Sequence, residues 1–588
     1  MMEAKRIFNC PTETLAEFEE AAKTAASLGY THMTVSDLPK SIWQWNRDRF
    51  DPYPNWGMMH AALFKVYVPE KLREYLPCDY AEKNLRIVAD RCAILKKYGL
   101  KAAFHGCEPA WLPEEVYRDH PDWRGGRCDH PRRARKAYFS PCIDNEEVLA
   151  MYREAVAAIC RVAPIENFTF MTNDSGGGIC WGIYLYPGQN GPAACAHISF
   201  KDRITRFLST LQAGAADAGL RADVAINGPK PLEAASAIPY LDDGQYINGQ
   251  GREAATNYMG CGLADYFYSC NFYPVKGLQQ PVSFARGYAS VAANPDRNCT
   301  VSLERVDNDI CLTVMELAKG GENETPAKLW GLLEKTAEKV APYAPEYLLR
   351  AWEAIDRAVT QIAHLEAGGP ILMLGCLNQR WLNRPFVPFP MELGEEEKHW
   401  WRPFIFQANS EETACDLMNL QCYPLVRGHS GKYIAVHLIE GAIRDLANAE
   451  SCYRAAAKAG DAERWSLEAD RLHACILLCR NAVNACRFQE ILDRTDYALG
   501  PCENDVWHTA PDERLRDMQV IFRNELDNTE EMAKLLEGRE SDIFYVAERP
   551  EDEDIFLFGP DLVAQLRKKQ NVMMDHYLEL QRLWARHN

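Results

Sequence analysis

The 588-residue chain lacks several features, and each absence removes a class of protein. It has no run of 18 apolar residues, so no membrane span is expected. The opening stretch MMEAKRIFNCPTETLAEF carries neither a long apolar core nor a cleavage motif, so no signal peptide is expected and the location is read as cytoplasmic. No GxGxxG follows the first strand-like run, which weakens a dinucleotide-binding fold, and no GK[ST] follows the glycine-rich segment near residue 176, which removes a Walker loop. No CxxC pair or CxxC…HxxxH spacing occurs, so no structural zinc, no other metal and no cofactor is expected. Positive charge is in short supply: 65 Lys and Arg face 83 Asp and Glu, a net charge of −18. Neither nucleic acid nor an anionic membrane suits such a surface as partner. Internal repeats and low-complexity tracts are also missing.

What is present is an ordinary globular composition, 47% hydrophobic and 25% charged, in a chain too long for one core. The 21 cysteines are odd in number and irregularly spaced, and they read as reduced, buried thiols.

Up to about residue 310, short β-branched or aromatic runs alternate with helical patterns, as βα units with a parallel sheet require. Eight strands are predicted: RIFNC (6–10), THMTVSD (31–37), LKAAFHG (100–106), NFTFMTND (167–174), ADVAING (222–228), GQYINGQ (244–250), ADYFYSCNF (264–272) and CTVSLERV (299–306). Helical stripes at 15–29, 81–99, 146–163 and 201–219 separate them, the first two ending in glycine as a C-cap. Eight strands in some 300 residues fit an α/β fold of the (β/α)8 TIM-barrel type better than an open sheet. Beyond 325 the pattern is almost wholly helical, broken by the aromatic-rich stretch 377–407. The expected domains are therefore a barrel at 1–325 and a helical C-terminal domain at 326–588, with 377–407 as a loop near the barrel mouth.

In such a barrel the reactive groups stand where strands end. Asp37 ends the second predicted strand, and His105 and Glu108 end the third. Asn173 and Asp174 end the fourth, in TNDSGGGICW. Asn227, Asn248 and Asn271 end the fifth to seventh, and Glu304 and Arg305 end the eighth. Asp and Asn also cap helices and start turns at such junctions. Their recurrence at seven strand ends favours a ligand rich in hydroxyl groups. Glycosidic cleavage needs one carboxylic acid and a second carboxylate; Asp174 is the preferred acid, Glu304 the preferred base or nucleophile, and Glu108 the third candidate. The remaining polar strand-end residues, with Trp181, are expected to bind substrate. Tryptophans and tyrosines crowd the same loops: Trp43, Trp45, Tyr53 and Trp56, then Trp111 and Trp123, then Trp181, Tyr184 and Tyr186. Sugar rings stack on such side chains, although packing must account for some of them. A basic loop at 124–136, including Arg124, Arg127, Arg132 and Arg133, can hold a sugar carboxylate or simply pair with the acidic surface around it.

The strand-four ending FTFMTNDSGGG, the helical C-terminus and the segment ENDVWHTAPDERLRDMQVIFRNELDNTEEMAKLLEG (503–538) resemble the α-glucuronidase and β-hexosaminidase-like group of glycoside hydrolases. The resemblance implies a barrel with paired acidic residues at strand ends and a hydrolytic site for a sugar, with an acidic sugar favoured. Asn173 stands where hexosaminidases have the first of two adjacent carboxylates, so a substrate-assisted mechanism is not implied. The leading expectation is a glycoside hydrolase with a carbohydrate substrate, for which a homo-oligomer is compatible. Two alternatives are a metal-dependent sugar isomerase or epimerase using Glu108, Asp174, His105 and Glu304, and a non-catalytic carbohydrate-binding protein.

Overall fold

The structure is a computed structural model and describes residues 4–38, 61–128, 137–171, 178–181, 191–227, 246–248, 259–262, 275–296, 298–303, 308–318, 326–363, 382–388, 393–397, 428–495, 511–547, 549–550, 553 and 558–581. The chain divides into two compact units, one made of 1–262 with 287–325 and the other of 263–286 with 326–588.

The first unit is built on strands β1 (Arg6–Asn9), β2 (His32–Thr34), β3 (Lys101–Cys107), β6 (Ile165–Met171), β7 (Asp223–Asn227), β8 (Tyr246–Asn248), β9 (Met259–Gly262) and β10 (Cys299–Ser302). A separate antiparallel ribbon, β4 (Arg124–Arg127) with β5 (Phe139–Pro141), lies in the long connection after β3. The main sheet runs β8-β7-β6-β3-β2-β1-β10-β9. Every neighbouring pair is parallel except β7 with β8. In chain order this places the eighth main-sheet strand beside the first, as a barrel does. Among the described residues, no pairing joins β8 to β9.

Local sequence explains the connecting helices. Thr14 and Glu17 form a reciprocal capping box at the start of Leu15–Ser27. The Asn145 side chain accepts from the Glu147 and Val148 amides and starts Glu146–Val162. Helix Cys78–Lys97 lies between β2 and β3, and helix Phe200–Asp217 between β6 and β7.

Register sorts the strand residues onto two faces. Phe8, Met33, Phe104, Phe168, Val224 and Val301 fall on one face and are buried. Asn9, Thr34, His105, Asn167, Thr169 and Ser302 fall on the other. An ion pair shows which way the sheet bends. Lys5, just before β1, bonds Asp223 at the start of β7. These strands are four places apart, about 19 Å in a flat sheet, far beyond a lysine's reach. The sheet is therefore curled, with the polar face inside. His32 sits near Lys5, Lys101 and Glu166 at this amino-terminal end, and burial draws its imidazole down to about 4.

One predicted strand needs correction. The sixth is antiparallel: Asn248 faces Ala225 and Tyr246 faces Asn227. β8 therefore runs back from the carboxyl rim, and Asn248 does not stand there. The predicted seventh strand, 264–272, lies outside the described residues, and the described strand Met259–Gly262 is in register with Cys299–Ser302.

The second unit is helical, with Pro326–Val340, Pro345–Ala363, Gly428–Ala459, Ala462–Thr495, Pro511–Leu536 and Leu562–Asp575 as its main elements. Its core includes Trp352, Tyr453 and Trp465, the last two stacked with ring centroids 5.3 Å apart. The Trp465 indole donates to the Tyr343 hydroxyl at 2.8 Å.

Candidate active site

The carboxyl ends of β2 and β3 are tied together by a serine. Ser36 Oγ donates to the His105 carbonyl at 2.6 Å and accepts from the His105 amide at 2.8 Å. His105 is half-buried, and its surroundings pull the imidazole down to about 4. It is neutral near pH 7 and suited to directional hydrogen bonding, not to carrying charge. Asp37 is buried, and its carbonyl accepts from Arg91.

Arg91 is a functional support that the sequence reading passed over. It lies 1% exposed on helix Cys78–Lys97, donating to the carbonyls of Val35 at 3.0 Å and Thr12 at 3.2 Å, with its guanidinium over the Phe18 ring. One side chain thus fixes the segments leaving β1 and β2. The signal was present: Val88, Arg91, Cys92 and Leu95 share the helix's buried stripe, where an arginine must find acceptors.

Glu108, the third carboxylate candidate, is 1% exposed. Oε1 accepts from the Leu63 amide at 2.6 Å; Oε2 accepts from the Ala110 amide at 3.0 Å and the Tyr152 hydroxyl at 2.9 Å. The Cys107 amide donates to the Ala61 carbonyl at 2.9 Å, and a Cβ on Gly106 would come within 2.5 Å of that oxygen, so only glycine permits the approach. Glu108 therefore anchors the segment 61–65, at the root of the aromatic-rich stretch 43–56, to the end of β3. Burial pushes its carboxyl up to about 7, against the three donors and nearby Lys65.

A pH signature follows. Folded Glu108 keeps its proton up to about 7, against an ordinary value of 4.5, so the folded state holds the extra proton between those values. Its contribution to stability is full below the lower value and is lost as pH rises through the upper one, by on the order of 3 kcal/mol. Glu108→Gln is expected to flatten the fall in thermal midpoint across that window relative to the parent protein. Equal slopes in the two proteins would refute the shift.

The other predicted site residues divide as follows. Asn227 closes β7 opposite Met171, at the carboxyl end of β6. Trp181 has a left-handed backbone, φ 61°, and its indole donates to the Pro192 carbonyl at 3.2 Å. It packs on a cluster of Cys142, Cys180 and Cys195. Asn173, Asp174, Asn271, Glu304 and Arg305 lie outside the described residues, as do Trp43, Trp45, Tyr53, Trp56, Tyr184 and Tyr186. Of the other loop aromatics, Trp123 is buried, stacked on His120 and donating to Glu147, so it is a packing residue. In the basic loop, Arg124 pairs with Glu114 and lies over the Tyr117 and Phe139 rings, which commits it to its own surface. Arg132 and Arg133 lie outside the described residues.

The helical unit contains a polar cavity of about 580 Å³ lined by Glu440, Arg480, Arg487 and Glu531, among others. Its arginines are already matched, Arg487 by Glu440 at 2.5 Å and Arg480 by Glu531 at 3.1 Å. It is a salt-bridged groove between helices and shows no group poised for chemistry.

The fold is similar to that of a solved glycoside hydrolase. A GH138 enzyme targeting pectin rhamnogalacturonan II superposes with a TM-score of 0.51 at 10% identity, covering 99% of this chain and 68% of that one. A GH36 α-galactosidase from Geobacillus stearothermophilus matches with a TM-score of 0.31 at 12% identity, over 57% of this chain and 42% of that one. An α-galactosidase from Lactobacillus brevis matches with a TM-score of 0.29 at 12% identity, over 58% of this chain and 41% of that one. The GH138 enzyme shares the fold of this chain, and none of the three is described as an α-glucuronidase or a hexosaminidase. No protein-family model matches the chain, and no curated protein is significantly similar to it. Among the described residues, no helix is long and apolar enough to cross a membrane.

Proposed function

We propose that the protein is a glycoside hydrolase acting on an acidic sugar from the carboxyl rim of its curled sheet. The observation that carries this reading is the strand order: β9, β10, β1, β2, β3, β6 and β7 are parallel neighbours around a curled sheet, so their carboxyl ends share one rim. In sequence, Asp174 follows β6 by three residues and Glu304 follows β10 by two. In a closed (β/α)8 barrel these two segments lie on opposite sides of one mouth, and an acid and a base or nucleophile on either side of a glycosidic bond is the arrangement hydrolysis requires. The acidic-sugar class is supported by the arginine-rich loop after β3, and the GH138 neighbour targets pectin rhamnogalacturonan II. Glu108 serves as a positioning residue. The barrel at 1–325 with a helical domain at 326–588 is the accompanying domain reading.

The test is a screen of aryl glycosides that includes galacturonides and glucuronides alongside neutral galactosides. Cleavage of a uronide in preference to its neutral counterpart is the expected result. Cleavage of neutral galactosides only would overturn the acidic-sugar reading, and turnover of none would overturn the hydrolase reading.

A further inference from the structure

Three cysteines distant in sequence converge in the first unit. Cys142 follows β5, Cys180 lies in the connection after β6, and Cys195 closes the short 3-10 turn Ala193–Cys195 ahead of helix Phe200–Asp217. All three are buried, at 3%, 0% and 3% exposure, and their sulfurs lie within 4.8 Å of one another. The Cys142 and Cys195 sulfurs are 3.9 Å apart. Tetrahedral zinc with Zn–S bonds of ~2.3 Å places two thiolate sulfurs ~3.8 Å apart, so this edge already has the spacing of a coordinated pair.

The surroundings hold the backbone of the cluster in place. Arg203, 1% exposed, donates to the Cys180 carbonyl at 2.6 Å, the Cys195 carbonyl at 2.6 Å and the Ile198 carbonyl at 3.3 Å, and its Nε bonds Asp144 at 2.5 Å. One guanidinium thus fixes the peptides of two of the three cysteines and places a positive charge beside a site that becomes anionic when thiolates gather. Asp144, paired with Arg203, sits beside the Cys195 thiol. Trp181 packs on the sulfurs in a left-handed backbone conformation that a non-glycine residue keeps only where its surroundings over-determine it. Gly178, at φ 64°, brings the same connection against Ser140, whose hydroxyl bonds the Gly178 carbonyl; a Cβ there would meet Ser140 at 2.7 Å.

We propose that Cys142, Cys180 and Cys195 form a three-thiolate zinc site that staples the connection after β6 to the ribbon-bearing connection after β3. A buried zinc held by thiolates from separate connections is structural in kind. Its place gives it a purpose: Gly178 comes four residues after Asp174 in sequence, so the staple would restrain the segment carrying the proposed acid. The site stands without the hydrolase reading, because its test reads metal and not turnover.

The test uses the full chain purified under reducing conditions. About one zinc per chain is expected to survive dialysis against buffer without chelator. Replacing the zinc with Co²⁺ is expected to give the intense sulfur-to-cobalt charge-transfer band and tetrahedral d–d bands of a thiolate site. Cys142→Ser, Cys180→Ser and Cys195→Ser should each lose the metal, while Cys92→Ser, at a buried thiol outside the cluster, should retain it. Should a cluster variant fail to fold, the cobalt spectrum of the unsubstituted protein decides alone. Absence of bound zinc together with a cobalt spectrum free of sulfur charge transfer would overturn the proposal. So would a Cys142–Cys195 disulfide in protein isolated without reductant, formed by loss of two protons and two electrons to dissolved oxygen, if it stayed metal-free after reduction.

Discussion

Asp174→Asn and Glu304→Gln are each expected to lower kcat/KM on a cleaved aryl uronide by about 10²–10⁴-fold, the range in which general acid–base groups contribute. Both substitutions keep shape and remove only the ability to hold or give a proton or to form a bond. The two losses should differ in kind. A general acid matters in proportion to how poorly the aglycone leaves. The Asp174→Asn deficit should therefore shrink on a dinitrophenyl glycoside and be largest on an unactivated one. The Glu304→Gln deficit should persist with both, because water or the carboxylate must still attack the anomeric carbon. A pair some 5–5.5 Å apart predicts retention of configuration, and a pair ~6.5–9.5 Å apart predicts inversion. Full activity in either variant would remove that residue from the assignment, and full activity in both would move the chemistry elsewhere on the rim.

The periodic part of the fold was legible in the sequence, and the paired part was less so. Strands with unbroken β-branched or aromatic runs, such as those around Ile7, Phe104 and Phe168, were placed to within a few residues, because alternation and flanking turn formers are local signals. The weak sixth strand was found, but not its direction. Tyr246–Asn248 pairs with Ala225–Asn227 of β7, and nothing local encodes which way such a run points. The predicted seventh strand, 264–272, lies outside the described residues; the strand at Met259–Gly262 was not legible because MGCG has none of the residues that mark strands, and it shows only through its register with Cys299–Ser302. Among the candidate site residues, burial altered the reading of two. Glu108 and Trp181 were chosen for chemistry and position in sequence, yet the structure engages the first with three donors and sets the second against three thiols.

Charged residues on buried helical stripes were the strongest signal left unread. Arg91 and Arg203 occupy stripe positions among apolar neighbours and collect the carbonyls of the connecting segments around them. The cysteine cluster was invisible for a different reason. Its members are 38 and 15 residues apart (142 to 180, 180 to 195), unlike any short zinc-ligand spacing, and only the folding of two separate connections brings them together.

The same pattern in the helical unit carries the largest expected effect on stability. Met518, Ile521, Phe522, Glu525 and Met532 share a buried stripe of helix Pro511–Leu536, and Glu525 within it pairs with Lys569, both side chains being fully buried. Asn481 donates to Glu525 at 2.6 Å and Asn484 at 2.9 Å, while Lys569 also donates to the Leu382 carbonyl at 2.8 Å and lies over the Phe386 ring. Removing one partner strands the other, and the two sides are unequal. Glu525→Leu leaves a buried ammonium with one carbonyl and is expected to destabilise by about 3–5 kcal/mol. Lys569→Met leaves a carboxylate that keeps its two amide donors and should cost less. The double variant should recover much of the Glu525→Leu loss, since an apolar pair of similar volume has no charge to desolvate. Burial already holds the Lys569 ammonium below its ordinary 10.5. Without Glu525 the depression deepens, so the unfolded chain binds the proton that the folded one gives up. A group depressed in this way contributes stability above its unfolded value and loses it as pH falls through the folded one. The Glu525→Leu deficit should therefore narrow as pH is raised from 7 toward 10.5, and the Glu525→Leu/Lys569→Met variant, which lacks the titrating amine, should show no such recovery. Calorimetric melting of the four proteins across that range measures both effects. A Glu525→Leu deficit that is small, or constant with pH, would mean that Lys569 escapes to solvent and that the pair does not hold this unit together.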